Sequence, residues 1–474
     1  MSEPNDSHGL RARIEQLERA LADSEARNRK LQDLIDSLQR GNKRQAAPFS
    51  KGPPKSDPKI PGRKPGNAHG RHAHRRAPER IDETYEAPLP LNCPHCSGFV
   101  DFEKVEPQYQ TEIPRRPLHR QFNVHVGRCS CCHKRVQGRH SLQTSDALGA
   151  ANSQLGPDAQ ALATILNKDA GLSHGKIRSL FQTAFGIVIA RATSARTMLR
   201  MAQRCEPAFK AIQIAVKNSS ACVPDETGWK VGGLLQWLHV FVTPDATLYR
   251  IRDSRGFDVA AETLGENYRG AMTHDGWKTY ERFGFALHGQ CNAHLLRRCD
   301  RLLETATRGA VTFPRQIKSL LQEGLALRDE RDVKVISLET CATQAVELTG
   351  RLEFLCWRRK VHAGNEQFAK FLFHRARDVF NYLRDPRLDA TNWRAEQAVR
   401  PAVVNRKVWG GSRTKNGAEA QGLLMSVLRT AWQNGHDTLN FLSQTLRAAT
   451  ESSLPELLIP RPDFTLSKSR SIMR

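Results

Sequence analysis

The sequence has no run of about 18 consecutive apolar residues, the length that a membrane-spanning helix needs. Its first twenty residues also lack the basic-then-apolar pattern of a secretory signal. Neither membrane insertion nor secretion is supported, so we expect a cytoplasmic protein with no membrane partner. In a reducing compartment, the 11 cysteines are better explained as free core thiols or metal ligands than as a disulfide framework.

Acidic residues are in deficit, with 49 Asp and Glu against 72 Lys and Arg, a net charge of +23. This balance implies a polyanionic partner or an anionic surface. Counted along the sequence, residues 1–200 carry +12, residues 201–350 carry +1 and residues 351–474 carry +10. The distribution suits a core that keeps its own carboxylates, flanked by segments that hold phosphates. A chain of 474 residues exceeds one ordinary domain, so we expect several modules.

Apolar side chains repeat every seven residues near the start of the chain, which predicts a coiled coil over residues 8–40. The two offset series are Ile14, Leu21, Asn28 and Ile35, and Leu10, Leu17, Ser24, Leu31 and Leu38. One Asn at a core position favours a parallel dimer, and a higher oligomer stays open. The alternative is a single amphipathic helix packed on its own protein.

A basic linker is predicted over residues 41–88. Between residues 41 and 80 it has 11 Lys or Arg against two acids, together with seven prolines. Such a segment cannot bury a core. It either follows a phosphate backbone as a flexible arm or is a solvated linker.

Two cysteine pairs have the spacing of zinc ligands: Cys93 with Cys96, and Cys129 with Cys132. Each pair can supply two thiolates to a tetrahedral structural Zn²⁺, which predicts a zinc-ribbon module over residues 89–145. The 32 residues between Cys96 and Cys129 exceed the usual gap, so the fourth ligand stays open. The residues that could replace a ligand are Cys131, His95 and His133.

Residues 150–216 are predicted to be helical. Ser173 can cap a helix with Ile177, Leu180, Phe181 and Phe185 on one face, and another helix should begin near Thr193, after Gly186. The pair could form a helix-turn-helix for DNA binding, with four arginines on or beside its second helix: Arg191, Arg196, Arg200 and Arg204. The alternative is a helical bundle with a solvated basic face.

The pattern then changes to strands, at 221–223 leading to Asp225, at 234–242, at 247–251 and, after a helix, at 270–273 leading to Asp275. This order predicts an RNase H-like sheet within a multidomain α/β protein. Adjacent central strands end side by side, so Asp225 and Asp275 should face each other. Two close carboxylates repel unless a cation lies between them, and Mg²⁺ prefers oxygen ligands.

A third acid is expected on a helix beside these strands, after a helical insertion at about residues 295–385. Residues 391–400 are compatible with a helix that ends at Pro401, and Glu396 lies within them. Basic residues surround it: Arg394, Arg400, Arg406, Lys407, Arg413 and Lys415. The other acids of this stretch are Glu366, Asp378, Asp385, Asp389 and Glu419. Glu396 is favoured because it should project from a helix interior with arginines beside it.

The motifs around these acids occur in a characteristic order. Asp225 begins D-E-T-G, Asp275 lies in H-D-G, and Glu396 ends N-W-R-A-E. Between them, Q-C-N-A-H ends at His294 and is followed by Arg297 and Arg298. With the heptads, the basic linker and the two cysteine pairs, they make the chain resemble the transposases of insertion sequence family 66 over nearly its whole length.

The resemblance implies a bacterial DDE transposase that cleaves transposon ends and transfers strands into target DNA. Asp225, Asp275 and Glu396 match the acids that bind Mg²⁺ or Mn²⁺, within a catalytic domain at 217–430 followed by a helical tail at 431–474. Residues expected to contact DNA are Arg394, Arg400, Arg406, Lys407, His294, Arg297 and Arg298. The implied partners are double-stranded DNA, including inverted repeats, a second copy of the chain, and two small accessory proteins, in association with the nucleoid.

Two other functions stay open. One is a nuclease that hydrolyses structured DNA without strand transfer, and the other is a catalytically inactive DNA-binding regulator. The sequence departs from the family at Trp277, where Tyr is common, and at Gln397, where Arg is usual. A second zinc site at His288, Cys291 and His294 is less favoured than a strand end with core residues.

Overall fold

The structure is a computed structural model, and it describes residues 7–42, 78–92, 94–111, 113, 116–143, 154–448 and 454–455. The chain divides into two compact units, one of residues 1–48 and 120–474 and the other of residues 49–119. None of the helices in the described ranges combines the length and apolar character needed to cross a membrane.

The first unit begins with the 36-residue helix α1 (Ser7–Asn42), so the predicted coiled-coil segment is helical. Ile14, Leu17, Leu21 and Leu31 of the heptad seam are 54%, 55%, 61% and 55% exposed. The single chain therefore leaves these seam side chains uncovered, and pairing with a second helix stays a prediction.

A short hairpin carries the second cysteine pair. Strands β1 (Val126–Arg128) and β2 (Arg135–Gln137) pair antiparallel and flank a turn closed by Cys129 N–H to Lys134 O at 2.9 Å. Backbone N–H groups of Cys132 and Cys131 donate to the Cys129 thiol and lower its pKa. In the second unit, an antiparallel bridge joins Asn92 to Phe99, and Cys96 lies in the loop between them. Cys93 lies outside the described residues, so the four-cysteine zinc site stays a prediction.

The predicted helical region contains four helices: α2 Pro157–Lys168, α3 His174–Phe185, α4 Arg191–Arg204 and α5 Glu206–Lys217. Ser173 caps α3 by accepting from Lys176 N–H at 3.3 Å, as predicted. Gly186 ends that helix with φ of +67°, a conformation that favours glycine. Ile177 and Phe181 pack with Met198 and Met201 of α4 in one core.

The centre of the first unit is a five-stranded mixed sheet in the order β5-β4-β3-β6-β7. Its elements are β3 Ala221–Val231, β4 Leu234–Val242, β5 Thr247–Arg252, helix α6 Phe257–Leu264, β6 Ala271–His274 and β7 Leu287–Gln290. β3 pairs antiparallel with β4 and parallel with β6, and β6 pairs parallel with β7. The predicted strands and the helix before β6 are confirmed, and β7 is an addition.

The sequence suggested that the first strand ends near Asp225, but β3 continues past this residue. It continues to Val231 because β4 pairs with it over nine positions, including Asp225 with Val240. Its parallel pairing with β6 stops earlier, at Cys222 with Met272. From Val223 onward β3 has no register pair with β6, and its last residue, Val231, forms a parallel bridge with Ser412.

Helices occupy the predicted insertion: α7 Asn292–Thr305, α8 Thr312–Asp332, α9 Leu338–Trp357, α10 Ala363–Phe373 and α11 Ala376–Val379. Their buried side chains form a core of their own, around Leu321, Leu352, Phe368 and Phe380. Ala221 and Ala271 join this core from the sheet. The insertion is thus packed onto the β3 and β6 side of the sheet.

Three helices complete the described chain: α12 Trp393–Trp409, α13 Lys415–Gln433 and α14 Thr438–Arg447. The expectation that the helix around Glu396 ends at Pro401 is wrong, because α12 runs through this proline. Ala395, Ala398 and Ala402 are fully buried against the sheet, and this packing holds the helix together across the missing N–H. Glu396 lies in the first turn of α12 rather than in its interior.

Candidate active site

The first two acids lie at the same distance beyond the last register pair of the central parallel strands. Asp225 and Asp275 each lie three residues beyond Cys222 and Met272, the last pair in the register of β3 with β6. Equal offsets from one register pair bring the two residues to the same level along the sheet. The strand order places β3 beside β6, and the facing of the two carboxylates stays a prediction.

Asp225 is partly buried and lies in a field of negative charge. Its Oδ1 accepts the backbone N–H of Glu226 at 2.8 Å. Burial raises the pKa of Asp225 to about 7, and the charges of Glu226, Asp275 and Glu396 act in the same direction. Asp275 and Glu396 are therefore each within electrostatic reach of Asp225.

Asp275 begins a tight turn whose shape depends on glycine. Its Oδ1 accepts the backbone N–H of Trp277 at 2.9 Å, and Gly276 between them has φ of +89°. A Cβ at Gly276 would lie 2.7 Å from a ring carbon of Phe371, so no larger residue fits without a shift. The turn holds Asp275 at the surface, directly after the buried strand β6.

A buried histidine, His274, and a half-buried one, His288, support this turn. His274 Nδ1 accepts the backbone N–H of Gly276 at 3.1 Å, and its Nε2 lies 3.2 Å from His288 Nδ1. His288 Nε2 in turn donates to Phe283 O at 3.0 Å. Burial lowers the pKa of His274 to about 3, so its ring is neutral. His288 thus bonds within the protein and Cys291 is buried, and their role as strand-end core residues rather than as a second zinc site stays a prediction.

The segment before α12 is tied to the ends of β6 and β7. Thr273 donates to Asp389 O at 3.0 Å, and Asn292 N–H donates to Ala390 O at 2.9 Å. The thiol of Cys291 donates to Asn392 Oδ1 at 3.1 Å. These bonds join residues about a hundred positions apart and fix where α12 begins, one turn before Glu396.

Glu396 is held by residues of α7. Arg297 donates to its Oε1 at 2.8 Å, and His294 Nε2 lies 3.8 Å from the same oxygen. Burial, followed by the charge of Arg297, lowers the pKa of His294, so the ring is neutral at pH 7. The charged partner of Glu396 is therefore Arg297, and His294 adds a polar contact.

The other acids of this stretch have different surroundings. Asp385 pairs with Arg387 at 2.6 Å, and Asp389 pairs with Arg394 at 2.8 Å. Glu366 accepts the backbone N–H of Lys360 at 2.7 Å within the insertion, and Glu419 is exposed on α13. The charge of Glu396 acts on Asp225, which favours it as the third acid.

Sequence reasoning missed a second group of residues behind Asp225. The Glu226 side chain is only 3% exposed, and its carboxylate accepts from Arg255 Nη2 at 2.7 Å and from Tyr280 Oη at 2.5 Å. Burial and the charge of Glu226 raise the pKa of Tyr280 well above its ordinary value. Glu226 stands in the D-E-T-G motif, but nothing in that motif indicates a partner 29 or 54 residues away.

Four of the predicted DNA-contacting residues differ in their surroundings. Arg400 and Lys407 are exposed on α12. Arg406 donates to Thr227 Oγ1 at 3.0 Å and to Gly228 O, and the Arg298 guanidinium lies 4.7 Å from the ring centre of Phe368. Arg406 and Arg298 thus have contacts within the protein, and their contact with DNA stays a prediction.

The oxygen ligands of this site fit a hard divalent cation. Asp225, Asp275 and Glu396 offer three carboxylates, and the pKa of Asp225 is raised first by burial, then by the charge of Glu226, and also by the charges of Asp275 and Glu396. Within the described ranges, no three or more His, Cys, Asp or Glu side chains are grouped closely enough to enclose a metal ion. The carboxylates would therefore have to draw together around a cation.

The comparisons with known proteins concern the same region. A family model described as the IS66 transposase family matches residues 152–420, from α2 to α13. A similar protein is the uncharacterized protein y4qI of Sinorhizobium fredii, 25% identical over 246 residues that cover 47% of this chain. This chain covers only 44% of that relative's length. Because the family model covers more than half of the sequence, the chain belongs to the IS66 transposase family.

Proposed function

We propose that this chain is a DDE transposase that cleaves DNA at transposon ends and transfers the freed strands into target DNA. The observation that carries the proposal is that Asp275, in the turn after β6, and Glu396, on α12, are both close enough for their charges to act on Asp225 of β3. The mixed sheet order supports the RNase H-like part of the proposal. Membership of the family supports the reaction class.

Asp225, Asp275 and Glu396 would hold Mg²⁺ or Mn²⁺. When bound, such ions activate the attacking oxygen and stabilise the leaving oxygen of a phosphodiester displacement. Arg297 holds the Glu396 carboxylate in place, and Glu226 fixes the backbone that bonds to Asp225. Arg400 and Lys407, exposed on the same helix as Glu396, would hold a DNA phosphate.

The remaining modules serve DNA binding and assembly in this proposal. The basic segments supply affinity that falls as salt rises, and Arg191, Arg196 and Arg200 are exposed on α4 as a helix-turn-helix would need. The coiled coil would join at least two chains, because two element ends need two active sites. A structural Zn²⁺ in the cysteine module, two small accessory proteins and a place beside the bacterial nucleoid complete the proposal.

A joining assay tests this function. The purified protein is incubated with Mg²⁺, a labelled fragment from the end of the element that flanks the reading frame, and a supercoiled target plasmid. We expect cleaved fragments and products in which the labelled 3′ end is joined to plasmid. Cleavage without joining would favour a nuclease, and binding without cleavage would favour an inactive regulator.

A further inference from the structure

An exposed tryptophan stands directly beside the proposed active site. Trp277 is 37% exposed, two residues after Asp275. The guanidinium carbon of Arg255 lies 4.1 Å from the centre of its ring and 4.7 Å from the centre of the Trp237 ring. Arg255 therefore contacts both rings and keeps a large aromatic side chain in place at the surface.

The stack has a buried anchor. Glu226 accepts from Arg255 Nε at 2.9 Å and from Nη2 at 2.7 Å, and Tyr280 donates to the other carboxylate oxygen at 2.5 Å. A planar guanidinium bonded through two nitrogens has little freedom to rotate. The Trp277 ring thus rests on a fixed cation rather than on a mobile one.

Single hydrogen bonds join this stack to the first two acids. The backbone N–H of Trp277 donates to Asp275, and the backbone N–H of Glu226 donates to Asp225. The stack is therefore next to both carboxylates. A DNA phosphate held between these acids would bring its adjoining nucleotide next to Trp277.

We propose that the Trp237, Arg255 and Trp277 side chains form a binding site for an unpaired nucleobase next to the phosphate that is cut. A paired base in a stacked duplex offers no free face, whereas an unpaired base can stack on an exposed ring. Stacking of this kind accepts any base, because every base has a π face. The inference rests on the proposed function, since it takes DNA as the ligand.

Fluorescence of 2-aminopurine tests the site without cleavage. The full-length protein in Ca²⁺ is titrated with an oligothymidine that carries one central 2-aminopurine, and with the same strand in a duplex. Stacking on Trp277 should quench the single-stranded probe and leave the duplex unchanged. Trp277→Ala should lose most of the quenching and weaken binding of the single strand by about 5- to 100-fold. Trp277→Phe, which keeps a ring, should retain part of both.

Trp432 offers a matched control, because it is 53% exposed and its ring centre lies 4.3 Å from the Arg429 guanidinium carbon. It lies on α13, next to Gln433, which bonds to the turn between β4 and β5. Trp432→Ala should quench the probe as the unchanged protein does. Quenching by Trp277→Ala equal to that by the unchanged protein would overturn the proposal. An equal loss of quenching in Trp277→Ala and Trp432→Ala would overturn it as well. If only Trp277→Ala loses the quenching and the unchanged protein never cleaves DNA, the result would support the base-binding site and contradict the transposase function.

Discussion

Arg297 donates a 2.8 Å hydrogen bond to Glu396 across 99 positions of the sequence. The arginine lies in the second turn of α7 and the glutamate in the first turn of α12, so the bond joins the insertion to the third acid. Both side chains are about half exposed, at 54% and 43%. The bond therefore orients a carboxylate more than it stabilises the fold.

Replacing Arg297 with Ala should lower cleavage about 100-fold, since a misplaced group at a reaction centre can cost that much. Its midpoint of thermal unfolding should stay near that of the unchanged protein, because an exposed ion pair contributes about 0–1 kcal/mol. Single-turnover cleavage and calorimetry measure the two effects. Arg301→Ala, an exposed residue one turn further along α7, is the control and should cleave normally. A large loss of stability in Arg297→Ala would instead assign it a structural role.

Asp225 should make the stability of the metal-free protein depend on pH. Its pKa of about 7 in the folded chain lies above the value of about 3.9 expected when unfolded. Between these two pKa values the folded state binds one proton more than the unfolded state. The contribution of Asp225 to folding stability is therefore complete below about pH 4 and is lost as pH rises through about 7. In EDTA, Asp225→Asn should gain stability relative to the unchanged protein between these values. A difference that does not vary with pH would contradict the raised pKa.

Divalent cations should offset the loss of stability that the ionised Asp225 carboxylate causes. A cation that binds the folded state stabilises it by mass action, so Mg²⁺ at pH 8 should raise the unfolding temperature of the unchanged protein. The same addition should have less effect on Asp225→Asn, which lacks one carboxylate. Thermal scans with and without Mg²⁺ give the comparison. An equal rise in both proteins would place the cation elsewhere.

Much of the catalytic sheet could be predicted from the sequence, because buried strands leave a local apolar pattern. Asp225 lies within the predicted strand β3 and Asp275 directly follows β6, and the strand order confirms that β3 and β6 are neighbours. The pattern could not show that β3 continues beyond Asp225, because that extension depends on pairing with β4. Nor could it show that α12 crosses Pro401, because tertiary packing of three alanines overrides the local preference.

Side-chain partners that lie far apart in the sequence were beyond local reasoning. Glu226 meets Arg255 and Tyr280 only because β3, the loop after β5 and the turn after β6 converge. Similarly, a cluster of basic residues does not reveal which charges face solvent. Arg406 bonds to Thr227, whereas its neighbour Lys407 is exposed.

The exposed seam of α1 should drive dimerisation. Leu17 and Leu21 are 55% and 61% exposed in the single chain, so pairing would remove both from water. Changing both to Asp should convert a dimer into a monomer, as measured by sedimentation of the full chain. Glu18→Gln, an exposed position between them, should leave the dimer intact. If the unchanged protein is itself monomeric at high concentration, the coiled-coil prediction is wrong.

The cysteine module should bind about one zinc ion per chain through Cys93, Cys96, Cys129 and Cys132. Backbone N–H groups already lower the pKa of the Cys129 thiol, and a thiolate is the form that binds zinc. Metal analysis after purification without chelator should find the ion, and Cys93→Ser with Cys96→Ser should release it. Cys131→Ser should retain it. If the unchanged protein contains no zinc, the prediction of a zinc-binding module is wrong.

The central claim is that Glu396 completes the site begun by Asp225 and Asp275. Replacing Glu396 with Gln keeps its size but removes the charge needed to balance a divalent cation. The most direct measurement is Mg²⁺-dependent cleavage of the element end by Glu396→Gln beside Glu419→Gln, a change of the same kind at an exposed position of α13, with Asp389→Asn as a further control. The account predicts that cleavage is abolished in Glu396→Gln, as in Asp225→Asn and Asp275→Asn, while DNA affinity stays within a few-fold because it rests on the basic segments. Both control variants should cleave. Cleavage by Glu396→Gln at a near-normal rate, or its loss in Glu419→Gln instead, would contradict the account.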